Sequence, residues 1–250
     1  MMAMNRRTNM LGILGGLGPL ASAEFMKTIY EHCGGACEQE YPAIVMLSDP
    51  SFPDRTEAFE RGEDDLVRKR FVGSLCHLQE MGADKIIVCC VTLHHLLPRL
   101  PLHLREHVIS LIDVIFADLE HRGGTHLLLC TNGTRQMRIF QRHPLWESTK
   151  NQLVLPESDD QNRIHGLIYG LKNAADPRLK LALIQALLAK YKVRSFVAGC
   201  TELHLIAKQF DILSCIDPLD TLAQEIAAGL LPDLVERCWR CQTIGVSTAL

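Results

Sequence analysis

The chain has 250 residues, enough for one large α/β unit or for two lobes around a substantial core. Its 26 Lys and Arg against 29 Asp and Glu give a formal net charge of -3, with no basic excess to track a phosphate backbone, so no nucleic-acid partner is expected. No run of 18 apolar residues suggests a membrane span, and several of the ten cysteines sit inside apolar runs, which points to reduced thiols and a cytoplasmic setting.

In chain order, MMAMNRRTNMLGILGGLGPLASAEF opens with a basic stretch and an apolar run. Four glycines and a proline interrupt that run and a helical pattern follows it, so it reads as a strand and turn rather than a secretory leader. The strand Met10–Leu14 leads into Gly15, Gly16 and Gly18, with Pro19 suited to a first helical turn. This is either a tight strand-to-helix corner or a cradle of N–H groups for an anion. Gly16-Leu17-Gly18-Pro19-Leu20-Ala21 also approximates a dinucleotide fingerprint, but Glu38 and Glu40 precede the second strand instead of closing it, which disfavours a nicotinamide site. The Gly-Lys-Ser/Thr ending of a P-loop is absent.

Further predicted strands are Ile44–Leu47, Lys85–Cys90, His107–Leu111, His126–Thr131, Gln152–Leu155, Arg194–Ala198 and Leu213–Ile216. Between Glu63 and Met81, the residues Val67, Phe71, Leu75 and Leu78 mark one buried helix face, and Gly82 suits a left-handed stop. Glu157–Leu171 and Pro177–Tyr191 read as helices of the same kind. Apolar runs alternating with helical patterns predict an α/β protein with parallel sheets flanked by helices.

Two segments carry candidate chemistry. Cys89-Cys90-Val91-Thr92-Leu93-His94-His95 and Gly199-Cys200-Thr201-Glu202-Leu203-His204 each run apolar strand, Cys, Thr, then Leu-His. The likeness suggests an internal duplication with both strand ends at one cleft. The expected lobes are residues 1–104 with 213–250, and residues 105–212. Each cysteine fits a small residue filling a strand-to-helix corner, and each also fits a reactive thiol whose pKa a helix N-terminus lowers. A zinc reading of Cys89, Cys90 and His94 lacks the paired C-x-x-C spacing of structural zinc sites, and the tail Cys238-Trp239-Arg240-Cys241 that could join it is a lone C-x-x-C, which reads as incidental. Cys76, Cys130 and Cys215 read as packing residues.

The ordered segments GILGGLGPLAS, SDPSFPDRTEA, CVTLH, LLLCTNGT and AGCTEL resemble the aspartate/glutamate racemase family over residues 10 to 230. That resemblance implies two pseudo-symmetric α/β lobes with the active site in the cleft between them, and an amino-acid racemase that needs neither pyridoxal phosphate nor metal. It implies Cys90 and Cys200 as the two bases, Cys200 taking the α-proton of the L-enantiomer while Cys90 reprotonates the other face, with roles exchanged for the D-enantiomer. Arg55 would pair with a substrate carboxylate, and Lys172 would contact the distal carboxylate. Gly16, Leu17, Thr92, Thr131, Thr134, Thr201 and Glu202 would complete the binding cleft, and a homodimer is the expected assembly.

Val91 departs from the family by standing where asparagine would offer hydrogen bonds. Leu93 replaces a smaller residue, and His204 stands where many relatives have proline. The departure at Val91 keeps open a related enzyme acting on a non-amino diacid, as an isomerase or decarboxylase, and a ligand-binding homologue without catalysis.

Overall fold

The computed structural model describes residues 10–173, 176–210 and 214–230. Its strands are β1 (Met10–Gly15), β2 (Ile44–Ser48), β3 (Ala83–Val88), β4 (Val108–Ile109), β5 (His126–Cys130), β6 (Leu153–Val154), β7 (Ser195–Gly199) and β8 (Ser214–Ile216). They form two four-stranded sheets, ordered β2-β1-β3-β4 and β6-β5-β7-β8. Every paired neighbour is parallel. The two orders are the same permutation, so the duplication read in the sequence extends to the topology.

Parallel neighbours need crossover connections, and helices supply them. Pro19–Cys33 follows β1, Asp64–Glu80 precedes β3, and Ser158–Lys172 with Pro177–Lys190 joins β6 to β7. Each sheet is covered on both faces, so residues alternate between two apolar layers. In β3, Ile87 and the following Cys89 join one cluster with Leu11, Ile13, Leu128, Cys130 and Val197, which unites the two sheets. Ile86 and Val88 point the other way, to Phe71 and Leu75. In the second sheet Phe196 and Ala198 likewise face an outer layer of Ile164, Ile168 and Leu187. The predicted face Val67, Phe71, Leu75 and Leu78 is fully buried, and Gly82 takes a positive φ of 97° after it.

Sheet pairing corrects the expected lobe boundaries. Val108 and Ile109 pair with Ile86 and Ile87, so β4 completes the first sheet although residues 105–212 were assigned to the second lobe. Ser214–Ile216 pairs with Ser195–Val197, so β8 completes the second sheet and not the first. Each sheet therefore keeps four consecutive strands. The helix Pro218–Ala227 then returns to pack on Pro19–Cys33. The tail pair Cys238 and Cys241 lies outside the described residues. Among the described residues, no helix is long and apolar enough to cross a membrane.

Candidate functional site

The third strand of each sheet ends in a cysteine turn. Cys89 and Cys90 lie just past β3 instead of inside it, and Cys89 N–H still donates to Leu14 O at 2.9 Å. Cys200 follows β7 and opens the short turn Thr201–Leu203. Cys90 is 7% exposed and Cys200 5%.

Threonines join the carboxyl ends of the strands. Thr92 Oγ1 lies 3.1 Å from Thr131 Oγ1 and 2.9 Å from Thr134 Oγ1, across the two sheets. Thr131 caps the helix Asn132–Gln136, accepting from Thr134 N–H. Thr201 Oγ1 donates to Cys89 O at 3.3 Å, so the turn after β7 touches the turn after β3. All four threonines are buried; the hydroxyls of Thr92, Thr131 and Thr134 form one cluster, while that of Thr201 meets Cys89 and Glu202.

Charge is unequal about the two thiols. Arg55, 7% exposed, donates to Leu17 O at 2.5 Å and to Pro53 O at 3.0 Å. Burial opposes its charge, but Cys90, Asp54 and Glu202 nearby outweigh burial and keep the guanidinium firmly protonated. Cys200 has the opposite setting. Burial first, and the Glu202 carboxylate second, push this thiol well up. Its Sγ donates to Glu202 Oε2 at 2.7 Å. The expected lowering by a helix N-terminus fails at Cys200, because a three-residue turn carries little dipole and a buried carboxylate lies in contact.

The glycine loop packs against this site without offering all its amides. Gly16, with φ 81°, sits so close to the backbone of Asp49 that a Cβ would collide, and its N–H is taken by Ser22 Oγ at 3.2 Å. That N–H is thus engaged within the corner itself, as the reading of a tight strand-to-helix turn expects. At Gly18 a side chain would run into the Glu202 carboxylate, which makes this glycine a wall of the site. Leu17 contributes its carbonyl to Arg55 and buries its side chain. Val91 is fully buried in the cluster between the sheets, so its side chain presents nothing to a ligand.

Lys172, at the end of the helix Ser158–Lys172, reaches Asp54 Oδ2 at 3.6 Å and lies 4.2 Å from the Tyr169 ring centroid. It thus approaches the segment carrying Arg55. Asp54 and Tyr169 were not anticipated. Asp54 accepts from Thr56 N–H, Glu57 N–H and Tyr169 Oη. Burial opposes its ionisation, yet Tyr169 and Lys172 hold the carboxyl below its ordinary range. Asp54-Arg55-Thr56-Glu57 has the spacing of a helix-start signature, which could have flagged Asp54 as a cap, but its contact with Lys172 spans the fold.

Both ring nitrogens of His94 are engaged by backbone, Nδ1 with Cys90 O at 2.8 Å and Nε2 with Leu111 N at 2.9 Å, which removes it from any zinc set. Among the described residues, no group of three or more His, Cys, Asp or Glu converges on a metal position.

The chain is similar to the broad-specificity amino-acid racemase RacX of Bacillus subtilis, 22% identical over 205 residues, covering 79% of this chain and 87% of that one. Among solved structures, the aspartate racemase of Picrophilus torridus superposes with a TM-score of 0.74 at 24% identity, covering 90% of this chain and 94% of that one. Glutamate racemase of Francisella tularensis, solved with D-glutamate, gives 0.62 at 13% identity, covering 91% and 83%. The two parallel sheets flanked by helices are the fold of these structures. Residues 14–226 match the family model described as Asp/Glu/Hydantoin racemase, and this chain belongs to that family.

Proposed function

We propose that the protein is a cofactor-independent amino-acid racemase acting on aspartate, glutamate or a related small amino acid, with Cys90 and Cys200 as its two bases. The observation that carries this reading is the pair of thiols closing equivalent strands of a duplicated fold, within electrostatic reach of one another, with Arg55 beside Cys90. Family membership and the likeness to a broad-specificity racemase support it.

An α-proton is weakly acidic, so the site must stabilise the developing enolate as well as supply a base. Thr92, Thr131, Thr134 and Thr201 offer hydroxyl groups for the α-carboxylate and α-amino group. Arg55 and Lys172 offer positive charge for a distal carboxylate, Arg55 in a planar fork. Cys90 lies beside the Arg55 guanidinium, while the Cys200 thiol keeps its proton against Glu202. In one half of the proposed cycle Cys90 is the base and Cys200 the acid. Cys90 takes the α-proton from one face, Cys200 delivers its own to the other, and the two protonation states exchange. Under the assignment by resemblance, this state serves the D-enantiomer, and the exchanged state serves the L-enantiomer.

The test is proton NMR of the reduced protein in heavy water with a panel of L-amino acids, aspartate and glutamate first, beside Cys90→Ala and Cys200→Ala. We expect the α-proton signal to vanish as the D-enantiomer accumulates, with a loss of at least ~10³-fold in either variant, about 4 kcal/mol of transition-state stabilisation. Absence of exchange with every amino acid at saturation would sink the racemase reading and favour a non-amino diacid or binding alone.

A further inference from the structure

Two buried histidines hold corresponding places in the duplication. His94 stands four residues after Cys90 and His204 four residues after Cys200. They are 4% and 0% exposed.

The Leu111 N–H can only donate, so His94 Nε2 presents its lone pair to it. The proton of the neutral imidazole then sits on Nδ1 and donates to the Cys90 carbonyl. Burial, pushing His94 down to about 4, agrees with that neutral form. Leu111 begins the helix that follows β4. In the other half, His204 Nδ1 lies 2.6 Å from Asp217 Oδ2, and Asp217 caps the helix that follows β8. His204 Nε2 lies 3.0 Å from Thr28 Oγ1, on the helix Pro19–Cys33 of the opposite sheet. Its backbone N–H meets the carbonyls of Thr201 and Glu202. The His94 side chain therefore spans from its cysteine turn to the head of the helix after β4, whereas His204 ends its cysteine turn by backbone and its side chain anchors that point to Asp217, at the head of the helix after β8, and to Thr28.

We infer that His94 and His204 are positioning residues, one for each thiol: His94 fixes the Cys90 carbonyl, and His204 fixes the turn that carries Cys200 and Glu202. The inference rests on the two-thiol reading, and its test does not require racemisation. Reduced full-length protein is treated with iodoacetamide, and the alkylation rate of each cysteine is followed by residue-resolved mass spectrometry.

In His94→Leu the Cys90 rate changes by about fivefold or more, the scale of one lost hydrogen bond, while Cys200 stays within about twofold. His204→Leu gives the converse. His94→Asn, whose amide N–H can take the place of Nδ1, restores the Cys90 rate. His94→Gln reaches only the place of Nε2 and does not. If Gln restores the rate and Asn does not, or if both cysteines respond alike to either histidine, the residues merely tether helices and the inference is overturned. Should a variant fail to fold, nitrogen NMR of the wild-type imidazoles decides His94: a proton on Nδ1 supports its role, and a proton on Nε2 overturns it. Failure of α-proton exchange with these alkylation results intact would count against the racemase reading alone.

Discussion

The turn after β3 and the turn after β7 share a backbone plan and differ in charge. Cys90 lies in the field of a buried guanidinium, whereas Cys200 donates to a buried carboxylate. The histidines repeat the contrast. His94 is held between two backbone groups, while His204 is paired with a carboxylate. Duplication fixes where the thiols stand, and tertiary neighbours set different surroundings about them. A two-base site needs that inequality, because a thiolate and a thiol must be present together.

The strongest way to break the contrast is to remove the cation. Arg55→Met leaves Asp54 and Glu202 without their buried partner, and losing one member of a buried charge group costs about 3–5 kcal/mol. At roughly 2–4 °C per kcal/mol for a chain of this size, thermal melting should show a fall in Tm of about 10 °C. Cys90 alkylation should slow in the same variant. An unchanged Tm would mean that Arg55 does not hold the charges together, and the asymmetry would need another source.

A smaller effect separates the histidines. His94 is held near 4 against an ordinary 6.5, chiefly by burial, so below pH 6.5 the unfolded chain binds a proton that the folded one refuses. The stability conferred by the neutral folded form is complete above pH 6.5 and is lost as pH falls toward 4, on the order of 3 kcal/mol over that window. Urea midpoints across this range should fall less steeply in His94→Asn than in the wild type. Equal slopes would contradict a neutral, buried His94.

The fold was legible because burial on both sheet faces writes continuous apolar runs, as in Lys85–Cys90 and Arg194–Ala198. All eight strands answer to such runs. Sheet membership was not legible for the short edge strands, since Val108–Ile109 and Ser214–Ile216 are assigned by their partners rather than their composition. The repeated Cys and Leu-His spacing relates the turns of Cys90 and Cys200, which the fold places after equivalent strands. Nothing local told that Asp54 would meet Lys172 across 118 positions of chain, or that Gly16 N–H would be spent on Ser22. The direction of the Cys200 shift was misread for the same reason. A helix-terminus argument uses neighbours in sequence, whereas burial is set by the whole fold.

The mildest change tests the Cys200 side alone. Glu202→Gln keeps the length of the side chain and an acceptor oxygen for Sγ, and removes only the negative charge. Burial, the larger cause of the raised thiol, persists, so Cys200 should not become freely ionised. The Coulombic part should go, making Cys200 alkylation severalfold faster near neutral pH, while Cys90 changes less. On the proposed two-thiol mechanism the thiol–carboxylate contact also holds the proton that Cys200 would deliver, so proton transfer should weaken even as the thiol becomes more reactive. Opposite changes in alkylation and α-proton exchange would tie Glu202 to protonation state. An unchanged alkylation rate would leave burial as the holder of that proton, and would remove the Glu202 charge from what distinguishes the two turns.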